Sequence, residues 1–147
     1  MKKLFFILLL VLFVPFVSHA ETKKSAVYFY AEWCPHCQNV NKYFVEQGFY
    51  EKYDIQKLNF DEKNNQQLLR KIFSFKKYEG NAGIPAVVID DKMLIGDQQI
   101  IEEFKQTIEQ STGNTVSFIE KANAVSLQKQ GVSRDAQTSV SMPVLVS

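Results

Sequence analysis

Cys34 and Cys37 are the only cysteines in 147 residues, and Pro35 and His36 alone lie between them. They follow the apolar run Ala26 to Tyr30 and precede a helical pattern, which puts a dithiol at a strand-to-helix turn. A helix start favours a sulfur anion, because unpaired N–H groups and the positive end of the helix dipole point at it. The thiolate is the reactive form of cysteine. A free thiol has a pKa of about 8.5, and helix N-termini or Cys-x-x-Cys geometry bring it down by one to several units. Cys34 is expected at the N-cap, Pro35 at the first helical position, where a missing N–H costs nothing, and Cys37 one turn in, within disulfide reach. The chemistry that follows is thiol–disulfide exchange. Cys34, nearer the helix tip and expected to be the more exposed, is the nucleophile, and Cys37, further in, resolves the mixed disulfide.

Two other uses of a cysteine pair compete with this one. A purely structural disulfide would close so short a loop that it removes little chain entropy. A zinc site needs about four ligands. The only other histidine, His19, lies in a segment expected to be removed, so neither a metal nor another cofactor is expected. His36 is either an exposed spectator or a tuning group. A protonated or hydrogen-bonding imidazole beside the Cys34 sulfur stabilises the thiolate and makes the pair a stronger oxidant, each ~1.4 kcal/mol being worth about 30 mV.

The elements that must hold this site can be read along the chain. Met1-Lys2-Lys3 is a basic start, Leu4 to Val17 is an apolar run interrupted by Pro15, and Ser18-His19-Ala20 supplies small residues for cleavage. A transmembrane helix needs about 20 apolar residues, so 1–20 reads as a cleavable signal peptide, with a retained anchor as the alternative. Export to the periplasm or beyond suits a dithiol that must be held as a disulfide. Without Lys2 and Lys3 the balance is 15 basic against 16 acidic residues, a net charge of −1. No basic patch points to nucleic acid.

What remains is long enough for one domain over 21–112 and an extension over 113–147. The unalternating apolar run from Ala26 to Ala31 predicts a central strand covered on both faces. Cys37, Val40 and Phe44 recur at helical spacing, with Gly48 as the stop. Ile55 to Phe60 reads as a strand, and residues 61–64 as capping side chains for a helix bearing Leu68, Leu69, Ile72 and Phe73. Ala86 to Ile89 and Met93 to Ile95 form a hairpin around Asp90-Asp91-Lys92, and Asp97 is expected to cap a helix whose inward face is Ile100, Ile101, Phe104 and Ile108. The order βαβ-ββα predicts an α/β fold with a four-stranded mixed sheet flanked by helices. In the extension, Phe118, Ile119, Ala122 and Val125 share one side of an expected helix over 115–129, followed by a polar tail.

Three segments carry a family resemblance. Phe29-Tyr30-Ala31-Glu32-Trp33-Cys34, Lys57-Leu58-Asn59 with Asp61, and Gly83-Ile84-Pro85 resemble the landmark segments of the thioredoxin family, in its order and at about its spacing. The likeness spans roughly residues 26 to 112 and implies the minimal thioredoxin fold. The Pro35-His36 dipeptide is similar to that of periplasmic dithiol oxidases of the DsbA type. By resemblance Trp33 lies on the active-site surface, where it also contacts substrate. The same resemblance implies that the Ile84–Pro85 bond is cis, which would place Pro85 against Cys34 and leave the Ile84 backbone free to pair with an extended substrate.

The likeness has two departures. Thioredoxins carry a buried acidic residue in the first strand as proton acceptor for the resolving cysteine, and Tyr28 stands there, leaving Lys57 without that partner. Glu32 or water is then the candidate base. The segment Pro85 to Asp97 is also similar to the part of glutaredoxins that ends at a glutathione-binding helix start, although Ala31 and Glu32 occupy the place of the basic residue glutaredoxins carry before the first cysteine. The expected function is an exported thiol–disulfide oxidoreductase acting on protein thiols or disulfides, with a regenerating redox partner in solution or in a membrane. A glutathione-linked oxidoreductase and a non-catalytic redox-sensing or binding module on the same fold are the alternatives.

Overall fold

The computed structural model describes residues 23–80 and 82–125. The expected signal segment 1–20, residues 126–129 of the expected C-terminal helix and the expected tail therefore lie outside the described residues. The chain runs β1 (Ser25–Tyr30), α1 (Pro35–Glu46), α2 (Phe49–Lys52), β2 (Asp54–Asn59), α3 (Lys63–Phe75), β3 (Ala86–Ile89), β4 (Lys92–Ile95) and α4 (Asp97–Glu109). Residues 115–125 form a further helix, α5. The strands make one four-stranded sheet in the order β2-β1-β3-β4. β1 pairs in parallel with β2, and β3 pairs antiparallel with both β1 and β4. This is the expected minimal thioredoxin fold.

β1 is central, and its side chains alternate between two cores, as the pleat requires. Ala26 and Tyr28 pack with Val40 and Phe44 of α1, Phe49 of α2, and Ile100, Phe104 and Ile108 of α4. Val27 and Phe29 pack on the opposite face with Leu69, Ile72 and Phe73 of α3 and with Phe118 and Ala122 of α5. Tyr28 and Phe29 are both fully buried, which is why this strand reads as an unbroken apolar run. The Phe44 ring lies 4.3 Å from that of Phe104, tying the cysteine-bearing helix to α4.

Gly48, in left-handed conformation at φ 64°, ends α1 after the Gln47 cap as expected, and the short α2 follows it. Two local expectations are corrected. Glu62 occupies the N-cap of α3 with no side-chain cap bond, so residues 61–64 do not cap as expected. The turn is held from before and within the helix instead, by Asn59 Oδ1 accepting the Asp61 N–H at 2.9 Å and by Asn65 and Gln66 donating to the Asn59 and Phe60 carbonyls. Asp97 is not a cap either; Gly96 holds that position at φ 86°.

The β3–β4 turn anchors the start of α5. Asp90, itself at φ 52°, accepts from the Thr112 and Asn114 N–H groups at 2.6 and 2.7 Å and from the Thr112 hydroxyl at 3.0 Å. Burial works against its charge, but these hydrogen bonds outweigh it and hold the carboxyl below the usual range. Buried Thr115 completes the join, accepting the Asp90 N–H and donating to the Ser25 carbonyl, both at 2.8 Å. Hydrogen bonds to an ionised group contribute roughly 1.5–3 kcal/mol. Asp90→Ala is therefore expected to lower unfolding free energy by about 2 kcal/mol in urea titrations near neutral pH. Because the folded carboxyl is held low, that contribution is present above the ordinary carboxylate pKa and fades as pH falls through the folded value.

Candidate active site

β1 delivers the chain to α1 through residues 31–33, and Cys34 takes the N-cap in extended conformation (φ −87°, ψ 111°). Its Sγ accepts the Cys37 N–H at 3.2 Å, and Pro35 fills the first helical position. Both cysteines are free thiols and both are buried, with 5% and 2% exposure. The expected contrast in exposure is thus slight. Tyr30, Phe60 and Ile84 pack against the small cluster that Ala31, Cys34 and Cys37 make, so the nucleophile sits at the helix tip but under a partial roof.

The two sulfurs differ in surroundings more than in depth. Burial pushes the Cys37 thiol up to about 12; the adjacent Cys34 adds to the rise, while the Ala31 backbone and the Tyr28 hydroxyl oppose it. Tyr28, where the resemblance places an acid, donates its hydroxyl to the Cys37 carbonyl at 2.9 Å. Burial above all, together with the nearby Cys37, raises the Tyr28 phenol far beyond its ordinary value. It is a donor here and not a base. Lys57 is level with Tyr28 in the strand register, yet its Nζ lies 4.5 Å from the Tyr30 ring centre and bonds Asn41 Oδ1 at 3.2 Å. A cavity of about 140 Å³ lies alongside, walled by Cys37, Glu32, Asn41 and Lys57 among others. That is room enough for water to reach the deeper thiol.

Trp33 is 65% exposed, and its Nε1–H donates to Asp61 Oδ1 at 2.9 Å, which fixes an aromatic ring on the surface beside Cys34. The Ile84–Pro85 bond is cis, as the resemblance implies. Ile84 packs on the cysteine cluster, and Pro85 is buried, its carbonyl accepting the Gly96 N–H at 2.8 Å. His36 departs from expectation. Its ring is 68% exposed, and Nδ1 stands 3.0 Å from Asp97 Oδ2, the same oxygen that takes the Asn39 side-chain N–H at 2.8 Å. Hydrogen bonds from Asn39 and His36 hold the Asp97 carboxyl below its usual range. Neither Asn39 nor this use of Asp97 was legible, because an Asp after a Gly at a helix start satisfies the capping pattern by itself. Among the described residues no three His, Cys, Asp or Glu side chains gather as a metal site would need.

The Thioredoxin family model matches residues 12–75, a span that includes β1, α1, β2, α3 and both cysteines. No curated protein matches the chain. Similar solved structures include the buckwheat glutaredoxin–glutathione complex, 21% identical over 67% of this chain and 79% of that one, with a TM-score of 0.42. A glutaredoxin from Archaeoglobus fulgidus is 22% identical over 58% and 86%, with a TM-score of 0.43. The oxidised thioredoxin of Plasmodium falciparum is 21% identical over 60% and 81%, with a TM-score of 0.40. The dithiol of this chain lies at the first strand-to-helix junction within the span that the Thioredoxin model matches, its sheet has the order β2-β1-β3-β4 and Ile84, at a cis bond to Pro85, packs on the cysteines, so the chain has a thioredoxin-like fold with a cysteine pair suited to thiol–disulfide exchange.

Proposed function

We propose that this chain is an exported thiol–disulfide oxidoreductase that exchanges disulfides with protein substrates through Cys34 and Cys37. The observation that carries the reading is the Cys34 sulfur at the α1 N-cap, 3.2 Å from the Cys37 N–H, with the second thiol one turn below. In the reducing direction the Cys34 thiolate attacks a substrate disulfide. A Cys34–substrate S–S bond forms, the substrate S–S bond breaks, and the departing sulfur leaves as a thiolate that takes a proton from solvent. Cys37, once deprotonated, attacks the Cys34 sulfur, closes the internal disulfide and releases the other substrate sulfur. Two electrons have then passed to the substrate, and the reverse sequence oxidises a substrate dithiol. The net direction depends on a partner, soluble or membrane-bound, that restores the starting state.

The raised thiol makes removal of the Cys37 proton the step that needs help. Tyr28 cannot accept it, and Glu32 acting through cavity water is the group we assign to it. Pro35 presets the helix start, and His36, beside Cys34 in the chain but held through Nδ1 by Asp97, is assigned a tuning role that this contact restrains. Trp33 and the Ile84–Pro85 segment form the substrate surface, where an extended chain can pair with the Ile84 backbone. Export rests on the residue pattern of 1–20. A glutathione-linked reading is less favoured, because the basic residue before Cys34 is missing and Asp97, at the start of α4, is already engaged by His36 and Asn39.

Insulin reduction and oxidative refolding test the proposal. Cys34→Ser is expected to abolish turnover in both, and Cys37→Ser to accumulate a substrate mixed disulfide visible on non-reducing gels. Partner binding that survives in both variants, from a wild-type protein with no turnover, would instead mark a binding module. The equilibrium potential against glutathione sets the direction: about −270 mV marks a reductant, and some 100 mV higher an oxidant. Alkali provides a separate check on Cys37. A thiol of ordinary value 9.0 that folding pushes up to about 12 stabilises the reduced protein below pH 9 and loses that contribution as pH rises towards 12. In denaturant titrations of the reduced forms, the stability of wild type relative to Cys37→Ser should therefore fall across that window.

A further inference from the structure

The His36–Asp97–Asn39 cluster does more than dock two helices. Asp97 opens α4, His36 is the second residue of α1 and Asn39 follows one turn later, so one carboxylate oxygen receives two side chains of the cysteine-bearing helix. Gly96 holds the N-cap of α4, and Asp97 is the first residue inside that helix. The carboxylate is three-quarters shielded, whereas the imidazole is 68% exposed. In this arrangement the Nδ1 proton is given to Asp97 and is unavailable to the Cys34 sulfur. A fixed negative charge also stands at the α1 N-terminus, where the helix dipole would otherwise favour only the thiolate.

We infer that Asp97 is a positioning residue that holds His36 through Nδ1 and thereby limits how strongly the Cys34–Cys37 pair oxidises. The inference rests on the exchange chemistry proposed above and adds a residue that sets its driving force. Freeing the imidazole lets it serve the Cys34 thiolate, which stabilises the dithiol and raises the potential. The electron balance of the exchange is untouched; only the equilibrium between disulfide and dithiol moves. Other charged groups belong to neighbouring contacts: Lys57 sits over Tyr30, and Asp61 is taken by the Trp33 indole.

A double-mutant cycle on the full chain tests it. The redox equilibrium with glutathione is measured for wild type, Asp97→Asn, His36→Ala and the double variant, with thermal unfolding to show that each is folded. Partly exposed charge pairs contribute up to about 1 kcal/mol, so Asp97→Asn should shift the equilibrium roughly three- to fivefold towards the dithiol. That shift corresponds to a potential higher by about 15–20 mV. In the His36→Ala background the shift should shrink by more than half. No shift in the first background, or the same shift in both, overturns the positioning role and leaves the proposed exchange standing. Failure of all four folded proteins to exchange with glutathione or with insulin overturns the proposed function, and this inference with it.

Discussion

One backbone N–H aimed at one sulfur, from Cys37 to Cys34 at 3.2 Å, is the contact around which the molecule is arranged. It exists only if α1 begins directly after β1, with Cys34 still extended and Cys37 already helical. β1 in turn cannot slide. Its neighbours on both sides fix the register, and a slip by one residue would exchange the residues of the two cores, a change that paired cores of different shape cannot accept. The apolar clusters thus act on the chemistry at a distance, by setting where a strand ends.

The same junction makes two like atoms unlike. Cys34 meets the free N–H groups of a helix start, whereas Cys37, one turn deeper, meets chiefly the cost of burying a charge. Where the resemblance implies a buried acid, Tyr28 places a hydroxyl that donates to the Cys37 carbonyl. Glu32 and Lys57 stand instead on the wall of the cavity that Cys37 also lines.

Much of this was legible in the residues. The apolar run of β1, the spacing of Cys37, Val40 and Phe44, and the alternation of element types led to the observed sheet, because each reports burial, and burial dominates the energetics. The positions of Cys34 at the cap and Pro35 after it follow from local backbone rules. Contacts between polar side chains far apart in sequence were not legible. Asp97 fits a cap as well as it fits a partner for His36, and only the packing of α1 on α4 decides between them. Likewise nothing local reveals that Phe60 and Ile84 would roof both thiols, or that Asn59 and Gln66, and not residues 61–64, would hold the turn into α3.

The bond from Thr115 to the Ser25 carbonyl brings the beginning of β1 and the beginning of α5 to one place. Cys34 lies past the other end of that strand, and at a rise of about 3.3 Å per residue the six residues of β1 set the two places roughly 20 Å apart. A tether, a surface or a fused domain joined at residue 23 would therefore hold the molecule by its tail and leave the sulfurs facing outward. In such an orientation a large folded client could approach the dithiol without colliding with whatever carries it.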